Sequence, residues 1–91
     1  MTYSVRDNPA KQRFELALDG HVAFSEYTRA GATLTIRHTE VPPQHGGKGV
    51  GSALVRGLLD IARARGVKVH PRCPFVKGYM DKHPEYADLR V

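Results

Sequence analysis

The 91-residue chain has few of the features that mark secreted or membrane proteins. It contains one cysteine, Cys73, so no disulfide can form within the chain and folding does not depend on an oxidising compartment. The N-terminal stretch MTYSVRDNPAKQRF has no apolar signal region. No stretch approaches the roughly 20 apolar residues that a membrane span needs. We therefore expect a soluble, cytoplasmic protein without a membrane partner.

Long runs of one charge are also missing. No consecutive Lys or Arg residues mark a nucleic-acid-binding tail, although the net charge is +5 and the pI is near 9.7. This balance favours an anionic partner but does not distinguish nucleic acid, a phosphorylated cofactor and an acidic surface. The length predicts a single domain over residues 1–91 that buries only about 60–65% of its unfolded surface. A ligand would therefore lie in a surface groove.

Residues 1–41 carry the period-2 pattern of β-strands. Three strands are predicted, at Arg13–Leu18, 21–29 and 32–41, with a short strand at 3–7 as a further candidate. Gly20 and Gly31 lie in the connecting turns and suit tight hairpins. The segment therefore reads as an antiparallel meander.

The alternation also predicts which side chains share a face. On the first strand Phe14, Leu16 and Leu18 lie on one face, and on the second Val22 and Phe24 are in phase. The pattern then slips around Glu26 and Tyr27, which predicts a bulge. On the third strand the face of Leu34 and Ile36 continues, in the same phase, through His38 and Glu40.

The period changes to that of a helix after residue 49. Val50–Arg65 has helical spacing of apolar residues, and Gly66 suits the left-handed residue that ends many helices. A strand at 67–70, a second helix at 75–83 and a terminal turn or last strand follow. Two strands joined through a helix form a parallel, right-handed β-α-β crossover. The fold class is therefore α/β (α+β): a meander, a crossover and a short C-terminal helix.

Four of the nine glycines lie between strand and helix, in GGKGVG at 46–51. Backbone N–H groups and the positive end of a helix dipole meet at such a loop, and this geometry binds phosphate. A P-loop is excluded because Ser52 stands where its lysine must be, and a dinucleotide fingerprint because Ser52 also replaces its third glycine. A flexible connector is the alternative.

The loop resembles the pyrophosphate loop of the GNAT superfamily of acyl-CoA-dependent N-acetyltransferases, whose pattern is Arg/Gln-x-x-Gly-x-Gly/Ala. Gly49 and Gly51 are in register, whereas Gly46 replaces the Arg or Gln and Lys48 is a partial substitute. The segments HTEVPPQHGGKGVGSALV and VHPRCPFVKGYMDKHPEYADL extend the resemblance to compact, stand-alone GNAT-like proteins over residues 13–91. It implies a minimal GNAT-like fold that keeps the acetyl-CoA half.

The resemblance implies a site for acetyl-CoA. The diphosphate would bind at Gly46, Gly47, Lys48, Gly49, Val50, Gly51 and Ser52. The pantetheine arm would lie against the splayed strand at Thr39, Glu40 and Val41. The thioester would reach Cys73, where larger relatives often have Asn. Relatives often have a general-acid Tyr at the position of Met80, and Tyr79 is one residue earlier.

The implied activity is acetyl transfer to a small or protein amine by direct attack on the thioester. Glu40 is the candidate general base, and the backbone N–H near Val41 would polarise the carbonyl. Cys73 or Tyr79 would lie near the leaving sulfur, and a covalent acetyl-cysteine is an alternative. Structural alternatives are a solvated strand end for Glu40 and His38, a buried apolar role for Cys73 and a core aromatic role for Tyr79.

Two other functions remain as alternatives to the enzyme. One is a module that binds CoA or acyl-CoA without efficient catalysis, since much of the acceptor half is missing. The other is a small basic nucleic-acid-binding domain, which lacks an aromatic stacking cluster. We expect no metal site, because the histidines lack ligand spacing. A basic group forms a solvated rim or assists the 3′-phosphate of CoA: Arg63, Arg65, Lys68 and Arg72.

Overall fold

The computed structural model describes residues 3–91. Its strands are β1 (Val5–Asn8), β2 (Arg13–Leu18), β3 (His21–Ala30), β4 (Thr33–Glu40) and β5 (Lys68–Pro71). Its α-helices are α1 (Val50–Arg65) and α2 (Pro74–Lys82), and its 3₁₀ turns are Pro9–Lys11, Pro43–His45 and Pro84–Leu89. The domain predicted over 1–91 also includes Met1 and Thr2, which lie outside the described residues.

The predicted architecture is confirmed. The strands form one sheet in the order β1-β2-β3-β4-β5, antiparallel from β1 to β4 and parallel between β4 and β5. Helix α1 begins and ends at the predicted residues, and Gly66 ends it at φ +70° with its N–H directed to the carbonyls of Ala62 and Arg63. After Leu89, an isolated bridge joins Arg90 to Val69 on β5.

Both helices pack on one face of the sheet, which we call the helix face. The core between the sheet and the helices is apolar. Its largest fully buried side chains include Phe14, Leu16, Ile36, Leu54, Leu58, Leu59 and Val69. Among residues 3–91, no helix covers the opposite face, which we call the open face. No helix in this part of the chain is long and apolar enough to cross a membrane.

Val22 and Phe24 of β3 share a face, as predicted, but this face is directed away from the helices. Leu16 pairs with Ala23 and Phe14 pairs with Ser25, and side chains of paired residues point to the same side of a sheet. The helix face of β3 therefore carries Ala23, Ser25 and Tyr27, whereas Val22 lies on the open face and is 39% exposed. The two-residue hairpin turn sets this register, and it overrides the apolar character of Val22 and Phe24.

A bulge in β4 overturns the predicted facing of His38 and Glu40. Glu26 pairs with His38 and Tyr27 pairs with Ile36, so Arg37 is an extra residue on β4. The slip predicted at Glu26 and Tyr27 is therefore present, but the added residue lies on the partner strand. The bulge reverses the alternation, so the face of Ile36 continues through Thr39, and His38 and Glu40 lie on the open face.

A buried carboxylate on the open face of the meander, Glu15, is held by partly and largely exposed polar side chains. Glu15 is only 5% exposed and accepts hydrogen bonds from Arg13 at 2.7 Å, Asn8 at 3.1 Å and Arg6 at 3.2 Å. The hydrogen bond from Arg13 is the main cause that lowers the pKa of the Glu15 carboxyl. The Arg13 guanidinium also lies 4.4 Å from the centre of the Phe24 ring. These contacts attach β1 to the sheet.

Candidate functional site

The glycine loop enters α1 through two left-handed residues. Gly47 and Gly49 have φ values of +76° and +75°, which L-residues rarely adopt. Gly49 is the N-cap, and no side chain of residues 3–91 hydrogen-bonds to the helix start. The N–H groups of the first turn therefore remain available for an anion, and the helix dipole adds positive potential there.

The loop surrounds a cavity of about 310 Å³. Its lining consists of Val41, His45, Gly46, Gly47, Gly49, Val50, Gly51, Ser52 and Phe75. Phe75 of α2 lies so close to Gly51 that a Cβ on Gly51 would be 2.8 Å from the ring. Lys48 is exposed and does not line the cavity.

The strands β4 and β5 separate beside this cavity. Their pairing ends at Ile36 and Pro71, and the Ile36 carbonyl accepts the N–H groups of Arg72 at 3.1 Å and Cys73 at 2.9 Å. Strand β4 continues to Glu40 paired only with β3. Residues 39–41 therefore have a backbone edge without a β5 neighbour, as the sequence resemblance implies.

Cys73 lies on the helix face, at the N-cap position of α2. It is 5% exposed, and its Sγ lies 3.5 Å from Thr39 Oγ1, which in turn lies 2.7 Å from Ser25 Oγ. The structure thus favours the buried alternative for Cys73 over a partly exposed thiol. Cys73 and Thr39 are brought together, as expected for two residues at the separation of β4 and β5.

Glu40 lies on the other side of the sheet. Its side chain is 61% exposed, and its Oε1 lies 3.6 Å from His38 Nε2. Because the bulge at Arg37 places Glu40 on the open face, Glu40 and Cys73 do not point into one cavity. They flank the same strand end from opposite faces.

Tyr79 and Phe75 are one helical turn apart on α2. Tyr79 stacks on His83 with ring centres 3.9 Å apart, and burial raises the pKa of its phenol. It lines two cavities of about 710 and 280 Å³, which both contain Ser52 and neither of which contains Val41. Tyr79 therefore lies outside the loop cavity, beside the α1 residues Ser52, Arg56 and Asp60. Met80 is buried in the core.

Most residues of the predicted basic rim bind carboxylate or carbonyl groups of the protein itself. Arg63 contacts Asp88 at 2.6 Å, Arg65 contacts Asp7 at 2.7 Å, and Lys68 donates to the Asp88 carbonyl at 2.6 Å. Two other basic residues, Arg56 and Lys82, line the cavities that adjoin the loop. Sequence reasoning missed both, although Arg56 is four residues after Ser52 and so lies on the same side of α1.

A meander, a glycine loop at a helix start and two strands that separate beside it are the features of a GNAT-like fold. A model of the family described as GCN5-related N-acetyl-transferase matches residues 13–89. The chain therefore belongs to the GCN5-related N-acetyltransferase family.

Individual relatives agree with this assignment. The chain is 26% identical over 84 residues to Protein NATD1 of Xenopus tropicalis and of Mus musculus, which covers 88% of this chain and 76% of each relative. Its fold is similar to the NMR solution structure of a GCN5-like protein from Staphylococcus aureus. That match has a TM-score of 0.74 and 25% identity, and covers 97% of this chain and 87% of the other.

Proposed function

We propose that the protein is an N-acetyltransferase that binds acetyl-CoA at the glycine loop and acetylates an amine by direct attack on the thioester. One observation carries the proposal: an uncapped helix start adjoins the unpaired edge of β4. Together they offer donors for a diphosphate and a strand edge for an extended arm. Acetyl-CoA would supply an activated acyl group to this site.

The loop suits a diphosphate in shape as well as in polarity. A Cβ at Gly47 or Gly49 would meet no atom within 4 Å, so the glycines leave open space in front of the helix start. Backbone N–H groups of α1 can point at anionic oxygens in that space. The Phe75 ring, packed on Gly51, forms an apolar wall beside it.

The edge of β4 suits the amide-bearing pantetheine arm. Backbone groups of residues 39–41 can pair with amides as a neighbouring strand would. A backbone N–H near Val41 would then polarise the thioester carbonyl as negative charge develops on its oxygen. Binding in this way orients the reacting carbon toward the acceptor.

The two faces of the sheet then have separate roles. Glu40 is on the open face, where it can take a proton from an amine that approaches from that side. Cys73 is on the helix face, where the leaving sulfur would remain. In direct transfer the amine adds to the thioester carbonyl from the side of Glu40, Glu40 takes its proton, and the C–S bond then breaks to release the CoA thiolate.

Cys73 and Tyr79 would then shape the site without a covalent step. A nucleophilic cysteine is normally a partly exposed thiolate, whereas Cys73 is buried against Thr39. Burial raises the pKa of the Tyr79 phenol, and Tyr79 lines the cavities outside the loop. We therefore assign Tyr79 to the wall of the two cavities that adjoin the loop cavity.

The binding-module alternative is favoured by the open face, where no helix among residues 3–91 encloses an acceptor. The nucleic-acid alternative is weakened by ion pairing, because six Lys and Arg side chains contact carboxylates: Arg6, Arg13, Arg63, Arg65, Lys77 and Arg90. Thermal shift with CoA, acetyl-CoA and an oligonucleotide separates these functions, since a ligand of the native state raises the melting temperature.

The test of catalysis is an acetyl-transfer screen over polyamines, amino acids, aminosugars and basic peptides, read by product mass and thiol release. With the best acceptor, Glu40→Gln should lower kcat/KM by about 100-fold or more, as expected for a general base. Glu26→Gln is the matched control, because Glu26 is on the same face and pairs with His38. Turnover of Glu40→Gln at the wild-type rate would exclude Glu40, and CoA binding without any acetylated amine would favour the binding module.

A further inference from the structure

The loop cavity has one ionisable side chain, His45, among the residues that line it. The family pattern has Arg or Gln at the position of Gly46, and this chain has no side chain there. Lys48 is exposed and lies outside the lining. Any side-chain charge on the wall of this cavity therefore comes from His45.

His45 is held without using its ring nitrogens. It ends the 3₁₀ turn Pro43–His45, and its backbone N–H donates to the Pro42 carbonyl at 2.9 Å. Its ring packs edge-on against His21 of β3, with centres 5.3 Å apart at 66°. Within the part of the chain that the structure describes, no protein atom hydrogen-bonds to the His45 ring. The ring is thus oriented by packing while its two nitrogens remain available to a ligand.

We propose that His45 is a pH-dependent phosphate contact that strengthens CoA binding as its ring gains a proton. This inference rests on the proposed function. Histidine changes its charge between about pH 5 and 8, and the protonated ring donates from both nitrogens. An anion that binds the protonated form more tightly gains affinity as the pH falls.

Two other ionisable residues lie near His45, and one of them supplies a control variant. His21 faces the ring from β3, and its Nδ1 lies 3.1 Å from the carbonyl of Asp19 in the β2–β3 turn. Lys48 is in the same loop and is exposed. A proton on His21 would oppose a proton on His45, so the two rings must be varied separately.

The experiment is isothermal titration calorimetry with dephospho-CoA between pH 8 and pH 5.5. This ligand keeps the diphosphate but lacks the 3′-phosphate monoester, whose second ionisation near pH 6 would add its own pH dependence. The wild type should bind about three- to tenfold more tightly at pH 5.5 than at pH 8, as expected for one added charge at a half-exposed site. Buffers of different ionisation enthalpy should show proton uptake on binding.

Three variants assign the effect. His45→Gln should bind with nearly the same affinity at both pH values, whereas His45→Arg should be insensitive to pH at the tighter level. His21→Phe keeps an aromatic ring against His45 and should retain the pH dependence. Circular dichroism at both pH values confirms that each variant is folded.

The outcomes separate this inference from the proposed function. Wild-type binding that is the same at all pH values overturns the role of His45 and leaves the loop site intact. A pH dependence that survives in His45→Gln, or that disappears in His21→Phe alone, also overturns it. Failure of dephospho-CoA and CoA to bind at any pH contradicts the proposed function itself and removes the basis of the inference.

Discussion

Replacing Gly49 by valine should abolish CoA binding while leaving the protein folded. Gly49 has φ +75°, and a Cβ there would project into open space in front of α1. That space is where the diphosphate must approach the N–H groups of the first turn. The valine side chain would therefore extend into the proposed position of the ligand, and its Cβ would meet no protein atom.

The change also strains the backbone, and the strain must be separated from the loss of binding. An L-residue in the left-handed region costs about 1–2 kcal/mol, and a β-branched residue is at the upper end. A domain has a free energy of unfolding of about 5–15 kcal/mol, so most molecules remain native. The melting temperature should fall by about 4–8 °C for each kcal/mol lost.

Gly66→Val is the matched control for strain. Gly66 ends the same helix at φ +70°, and a Cβ there also meets no atom within 4 Å. Both variants should lose similar stability in urea titrations, but only Gly49→Val should lose CoA binding by calorimetry. Wild-type affinity in Gly49→Val would refute the loop site. Equal loss of CoA binding in both variants would show that lower stability, and not a blocked loop site, causes the loss.

The remaining predictions concern three side chains. Cys73→Ala should lose about 1–2 kcal/mol of stability through the buried cavity but keep measurable acetyl transfer; an acetyl adduct on Cys73 that an amine discharges at the turnover rate would contradict direct transfer. Tyr79→Phe should leave kcat within about threefold of the wild type, since a lost general acid would cost about 100-fold or more. The pKa of Glu15 is lower in the folded than in the unfolded state, so the ionised carboxylate stabilises the fold. This contribution is complete above the pKa of the unfolded state, about 4.3, and is lost as the pH falls through the pKa of the folded state. Urea titrations from pH 6 to pH 3 should therefore show a shallower acid loss in Glu15→Gln, and an unchanged slope would refute this.

Local signals were sufficient to predict the elements of the fold. The bounds of α1 follow from its helical stripe and from glycines at both ends, and the hairpin at Gly20 follows from its two-residue turn. The crossover follows from the order of the elements. Each of these features depends on residues that are close together in the sequence.

The face of the sheet on which a side chain lies, and the arrangement of the site residues, depend on pairing between residues distant in the sequence. The sequence was insufficient to predict either of them. A buried Ser25 and an exposed Val22 reverse the apolar pattern of β3, because pairing with β2 fixes its register. One extra residue, Arg37, moves Glu40 to the face opposite Cys73. Alternation along β4 cannot show this bulge, because the extra residue is recognised only from the pairing of β4 with β3. Phe75 reaches the loop cavity only through tertiary packing.

The central claim is that acetyl-CoA binds between the glycine loop and the free edge of β4. The most direct measurement is a titration of the ¹⁵N-labelled protein with acetyl-CoA, followed by the amide signals of each residue. We predict saturable shifts at residues 46–52 and 39–41, and only small shifts along β1 and β2. Absence of any shift at the loop, or saturable shifts confined to the open face of β1–β3, would contradict the claim.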